Sequence, residues 1–259
     1  MVRTIKERLA AGELVRTFAM GRMVHPLMVE MYALAGDYHG FWIDEEHVIH
    51  TSEQLTAAVL AGRANGMDSF VRIAPTGYSL VTQCLETGAG GVMAAQIHDA
   101  DQAAEFVSWA RFAPEGVRGL NTGGRDAHYS HTPAADFIRE HNERVFVAIQ
   151  VETTGSVEHA DAIAALDGVD HLFVGPSDLS LALGVVGQFH HEKLWEAIEH
   201  VAAACEKNGI TWGAVTPDPE FARRAIDSGC RLPTMGNDII AIRRGIDTIK
   251  GAFGDIFED

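Results

Sequence analysis

The sequence predicts a single-domain α/β protein of the (β/α)8 TIM-barrel class, and three observations carry that reading. Short apolar, β-rich runs alternate eight times with longer helix-like segments, and such alternation implies parallel strands. The chain has 259 residues, and α/β barrels commonly run to about 250 residues as one domain. An open doubly wound sheet also alternates, but its dinucleotide-binding form should carry G-x-G-x-x-G after the first strand, and that motif is absent. No low-complexity tract or Pro/Ser-rich linker marks an internal boundary, so residues 1–259 read as one domain, with a short N-terminal helix before the first strand.

The eight runs are residues 14–20, 40–44, 70–73, 91–96, 145–152, 171–176, 210–215 and 231–236. Several are apolar at consecutive positions, as strands buried on both faces should be. Between them, residues 52–65 begin at a capping Thr51/Ser52 and are rich in helix formers. Residues 78–87 stop at Gly88. Residues 99–111 open with an acidic first turn that suits the helix dipole. Residues 157–165 stop before Asp167-Gly168, 193–208 stop at Gly209 and 219–228 stop at Gly229. A glycine directly after a helix pattern is a C-terminal stop. The last helix is expected at about 237–251. Two long connections, 111–144 and 179–194, follow the fourth and sixth strands, where barrels usually build specificity.

Composition narrows the function classes. With 47% hydrophobic and 22% charged residues, the chain supports a sizeable core and is not mainly disordered. A net charge of −16 argues against nucleic-acid and anionic-membrane partners, which need a basic footprint. No apolar stretch reaches membrane-spanning length, and the N-terminus has no signal-type run. Three widely spaced cysteines, without CxxC, suit a reducing cytoplasm.

Barrel chemistry sits at the C-terminal ends of the strands. There the sequence places Asp44 and His47, Arg72, Gln96 and His98, Gln150 and Glu152, and Asp178. Glu152 and Asp178 are hard oxygen donors on adjacent strands, a typical Mg²⁺ or Mn²⁺ arrangement when water completes the octahedron. Taken singly, Asp178 reads as a helix cap and Glu152 as a cation's partner. Arg72 inside an apolar run needs a partner, either a structural acid (Glu45, Glu46 or Glu86) or a substrate oxyanion. Asp44 and His47 are expected to form a carboxylate–imidazole pair. Gly175-Pro176-Ser177 offers the Ser177 and Asp178 amides to an anion. None of the eight runs contains a lysine, which argues against a Schiff-base aldolase.

The segments FWIDEEH, FVRI, EGVRG, VAIQVET and VGPSDLS resemble the class II, metal-dependent pyruvate aldolases of the HpcH/HpaI family, relatives of 4-hydroxy-2-oxo-acid aldolases and macrophomate synthase. The resemblance covers residues 14–251. It implies a barrel of the phosphoenolpyruvate/pyruvate-binding type with a divalent metal (Mg²⁺ or Mn²⁺, with Co²⁺ a further option) and no organic cofactor. Glu152 and Asp178 would be metal ligands, with Gln150 beside the metal. Arg72 would contact the ketone oxygen, the Ser177 and Asp178 amides the carboxylate, and Asp44 and His47 would form the acid/base dyad. The implied reaction is reversible retro-aldol cleavage of a 4-hydroxy-2-oxo acid to pyruvate, or a close 2-oxo acid, and an aldehyde through a metal-bound enolate. Its partners are then small molecules and further copies of the chain: a homo-oligomer of dimers, up to a hexamer, with the last helix exchanged between protomers and Glu86 reaching a neighbour. The chain departs from the family pattern at 94–98, at Glu45 and in the loop 121–129. The alternatives are a CoA-ester lyase of the citrate-lyase β or malyl-CoA type, which would draw on Arg118 and Arg125 for the CoA phosphates, and a non-catalytic barrel subunit.

Overall fold

The eight apolar runs become eight parallel strands that close into a barrel, each paired with the next and the last with the first. The computed structural model describes residues 2–257. The strands are β1 (Thr17–Met20), β2 (Gly40–Glu45), β3 (Asp68–Ile73), β4 (Gly91–Ala94), β5 (Phe146–Val151), β6 (His171–Val174), β7 (Thr211–Val215) and β8 (Leu232–Asn237). The helices are α1 (Ile5–Ala10), α2 (Pro26–Ala35), α3 (Ser52–Ala64), α4 (Tyr78–Glu86), α5 (Ala100–Ala110), α6 (Ala134–Arg144), α7 (Thr154–Glu158), α8 (Ala160–Ala164), α9 (Pro176–Ala182), α10 (Glu192–Asn208), α11 (Pro219–Asp227), α12 (Asp238–Ala252) and α13 (Gly254–Phe257).

Strand alternation sorts side chains into two layers. Trp42, Phe70, Met93, Phe146, Ala148, Phe173 and Leu232 fill the barrel interior. Their neighbours in sequence, such as Phe41, Ile43, Val71 and Val147, pack outward against the helices. Helix α1 closes the N-terminal end of the barrel. It starts in a capping box between Thr4 and Glu7, joins Ile5 and Leu9 to the interior cluster, and is pinned where the Ile5 amide donates to Asp68 at 2.8 Å.

Three segments differ from the sequence reading. Helix α2 starts at a His25 cap and a proline in its first turn, a signal outside the usual Ser/Thr/Asp/Asn set. Helix α6 lies inside the long connection after β4. Its surface is mostly polar, with Phe137 and Asn142 its buried residues, so apolar periodicity did not mark it. The helix expected at 157–165 is two short helices that meet at His159.

Helix α12 stands apart. Asp238, at its start, is its one buried residue among those described, while Ile239, Ile242, Ile246 and Ile249 are 40–58% exposed. Asp238 Oδ2 accepts from the amides of Gly21, Arg22 and Met23 at 3.1, 2.7 and 2.6 Å, tying the end of the barrel to the turn after β1. Among the described residues, no helix is long and apolar enough to cross a membrane.

Candidate active site

The pairing of β2 with β3 sets Asp44 directly opposite Arg72, on the face that carries Trp42 into the barrel. The guanidinium grips the carboxylate with two bonds, Nε to Oδ1 at 3.1 Å and Nη2 to Oδ2 at 2.9 Å. Its Nη1 lies 3.1 Å from Glu46 Oε2, and its carbon sits 4.9 Å from the centre of the Trp42 ring. An arginine in this setting is fixed on three sides. Its Nε makes the hydrogen bond to Asp44, and its two terminal nitrogens make the ion-pair contacts.

Asp44 also accepts from the amides of Glu46 (3.0 Å) and His47 (3.4 Å). Burial raises its pKa, but Arg72 and these amides outweigh burial and hold it below the usual carboxylate value. The expected Asp44–His47 side-chain pair is therefore not formed, because Arg72 takes both carboxylate oxygens. The His47 ring, 56% exposed, lies instead 3.6 Å from Glu46 Oε2. Of the acids expected for Arg72, the structure brings Glu46. Glu45 turns outward to His50, 2.5 Å away.

The sequence reading offered Glu46 only as one of three structural partners for Arg72, not as a site residue. A period of two from Trp42 through Asp44 to Glu46 was the available signal. Burial, the largest effect, raises its pKa. Arg72 and His47 oppose the rise, and Asp44 and Asp178 add to it.

Across the mouth, Glu152 is 1% exposed. Its Oε1 accepts from the Gln96 amide at 2.8 Å, while Oε2 is buried without a partner. Burial, together with the charges of Glu46 and Asp178, pushes its pKa up to about 7, against the opposing Gln96 amide and Arg72. Gln150, two residues earlier, also has its Oε1 buried and unpartnered. A Cβ at Gly175 would stand 2.6 Å from Glu152 Oε2 and 2.5 Å from Gln150 Nε2, so a larger residue there would displace the ends of both side chains. Asp178, half-buried, and Ser177, exposed, lie in the first turn of α9. Among the described residues no side chain caps that helix, which leaves its leading amides to solvent or ligand.

Four carboxylates thus face one guanidinium at the mouth. Glu152 Oε2 and Gln150 Nε2 border a space kept open by Gly175, and three buried oxygens of the cluster, Glu46 Oε2, Gln150 Oε1 and Glu152 Oε2, have no hydrogen-bond partner. A buried acceptor without a donor is costly, and a hard divalent cation is a ligand that answers orphaned carboxylate oxygens and surplus negative charge. Among the described residues no three His, Cys, Asp or Glu side chains converge as a closed metal site, so a cation here would draw further ligands from water or substrate.

The other candidates lie elsewhere. His98 is exposed, and its amide bonds to Gln102. Arg118, which the CoA-ester reading would use, is 1% exposed and bound to Asp126 at 2.6 Å. It is not available to a phosphate.

Comparisons with known proteins identify the family and the fold. The family described as HpcH/HpaI aldolase/citrate lyase matches residues 25–244. A 5-keto-4-deoxy-D-glucarate aldolase of Klebsiella pneumoniae is 29% identical over 231 residues, 89% of each chain. The crystal structure of an HpcH/HpaI aldolase from Desulfitobacterium hafniense superposes with a TM-score of 0.87 at 30% identity, covering 96% of this chain and 97% of that one. An aldolase/citrate lyase family protein from Burkholderia cenocepacia gives 0.88 at 30% identity, covering 98% and 99%.

Proposed function

Because the chain belongs to the HpcH/HpaI aldolase/citrate lyase family, we propose that this carbon–carbon lyase cleaves a 4-hydroxy-2-oxo acid to pyruvate, or a close 2-oxo acid, and an aldehyde. Relatives named as 5-keto-4-deoxy-D-glucarate aldolases favour a sugar-acid-derived substrate. The observation that carries the reading is Arg72, locked between Asp44 and Glu46 in a cluster where oxygens of Glu46, Gln150 and Glu152 are buried without hydrogen-bond partners.

Glu152 and Asp178 would hold a divalent ion, Mg²⁺ or Mn²⁺, which would act as a Lewis acid on the 2-oxo group. The terminal N–H groups of Arg72 hold negative charge on that oxygen as the C3–C4 pair becomes the enolate double bond and the carbonyl pair moves onto oxygen. Because the salt bridges fix the guanidinium beforehand, little reorganisation is needed as the charge develops. The Ser177 and Asp178 amides receive the carboxylate. His47, exposed beside Glu46, is the group placed to take the 4-hydroxyl proton through water and to return a proton to C3.

The test is exchange of pyruvate methyl protons in D₂O, followed by NMR on EDTA-treated enzyme before and after Mn²⁺ or Mg²⁺ is restored. Exchange that returns with metal and is lost in Glu152→Ala supports the reading. Absence of exchange with either ion would remove pyruvate as the nucleophile. We also propose that the isoleucine face of α12 docks on a second copy of the chain, so that the molar mass by light scattering is a multiple of the monomer's and Ile246→Glu lowers it. The three described cysteines are free and buried, in keeping with the cytoplasmic location proposed for the enzyme.

A further inference from the structure

The backbone at Gln96 is unusual for its residue type. Its φ is +50°, in the left-handed region that costs an ordinary L-residue roughly 1–2 kcal/mol. Strain of this kind persists only where the surroundings over-determine it, and here they do. On one side the Ala95 amide is still in the ladder, donating to Ile73 at 3.0 Å. On the other, the Ile97 carbonyl accepts from Thr153 Oγ1 at 2.9 Å, and the His98 carbonyl lies so close to Gly155 that a Cβ there would stand 2.6 Å from it. The left-handed residue is the point at which the chain turns out of β4 between these two anchors. Held there, the Gln96 amide donates to Glu152 Oε1 at 2.8 Å, while Oε2 is left without a partner against Gly175.

We propose that Gln96 is a positioning residue for Glu152. Its left-handed backbone fixes one carboxylate oxygen and so selects Oε2, beside Gln150, as the oxygen offered to a divalent cation. The proposal rests on the cation reading given above. It assigns the effect to the main chain; the exposed Gln96 side chain is not needed for it. An unpinned carboxylate would sample other rotamers and would have to be ordered when the ion binds. Groups that orient a ligand in this way typically account for about 10–100-fold in metal affinity.

The experiment is Mn²⁺ titration of the full chain by electron paramagnetic resonance, with circular dichroism and thermal melting to confirm folding. The native protein is titrated first. Gln96→Gly keeps the N–H and suits a positive φ, so its Kd should stay within about twofold. Gln96→Val keeps the N–H but is a poor left-handed residue, and Gln96→Pro loses the N–H and fixes φ near −65°. They should weaken binding by about threefold and at least tenfold, in that order. A folded Gln96→Pro protein with native affinity would overturn the proposal. So would a Gln96→Gly protein that binds poorly, because the side chain would then be responsible. If the proline variant does not fold, equal affinities for the valine and glycine variants overturn it. A native protein that binds no Mn²⁺ would take the cation reading down with it, whereas native binding with indifferent variants would sink only this inference.

Discussion

Two buried arginines in this molecule have nearly the same partners and opposite surroundings. Arg72 lies over Trp42 and is bound to Asp44 and Glu46. Arg118 lies 4.7 Å from the centre of Phe112 and is bound to Asp126, with Nη1 3.0 Å from His141 Nδ1. Around Arg118 the charges balance. His141 Nε2 is 2.9 Å from the Ala110 carbonyl, so the tautomer with a proton on Nε2 suits both contacts. Burial and the nearby Arg118 charge push its pKa down to about 3, which keeps it neutral. This arginine staples the loop after β4 onto α6. Around Arg72 the acids are in excess, three acceptor oxygens have no hydrogen-bond partner, and exposed His47, Gln96 and Ser177 open the cluster to solvent. A buried ion pair alone therefore does not mark a site; unbalanced charge beside it, open to solvent, does.

Substitution can break this contrast. Arg118→Met leaves Asp126 buried and unpaired, so the unfolding free energy measured in urea should fall by about 3–5 kcal/mol. Exchange activity per folded molecule should change little, and a large loss of activity would make Arg118 part of the site. Arg72→Met should do the reverse. Loss of a preorganised donor lowers turnover by about 10²–10³-fold, with a smaller loss of stability than at Arg118, because solvent reaches the mouth. Equal destabilisation by the two variants would erase the distinction.

Acidity sharpens it further. His141 and His171 both have pKa values pushed down to about 3, in each case mainly by burial. Below pH 6.5 the unfolded chain gains protons that the folded chain refuses, so stability falls as pH drops through that window. Glu152 has the opposite sign. Its folded pKa of about 7 lies above the ordinary glutamate value of 4.5, so the folded state holds an extra proton between the two and stability falls as pH rises. From pH 4.5 to 6.5 two histidines act against one glutamate. These groups then give the metal-free protein a net slope of about 1.4 kcal/mol per pH unit. Glu152→Gln should steepen it to about twice that, and an unchanged slope in urea titrations at pH 5 and 6 would refute the assignment. The smallest effects concern the aromatic faces. Phe112→Leu should cost about 0.5–1 kcal/mol of cation–π stability, whereas Trp42→Leu should lower the exchange rate by a few-fold. The opposite pattern would reverse the roles of the two arginines.

The barrel was legible because buried parallel strands are written as continuous apolar runs and helices end at glycines such as Gly88, Gly209 and Gly229. Strand ends placed Asp44, Arg72, Gln150 and Glu152 on one rim, and the structure brings them together there. The partners of these residues were not legible. Whether Asp44 meets His47 or Arg72 depends on cross-strand register, which no local pattern encodes. Among the acids offered for Arg72, Glu45 and Glu46 are identical in type and opposite in facing, and only the structure chooses between them. The Gln96 amide was invisible because a backbone donor leaves no letter in the sequence.

The glycine at position 175 has a consequence on a longer timescale. The loops around the mouth can change length and lettering without touching the barrel, so a lineage can edit them independently of it. At 175 any replacement carries a Cβ into the space before Glu152 and Gln150. A descendant that replaces it must move the ends of both side chains, so its cluster is expected to differ from this one even where its barrel is preserved.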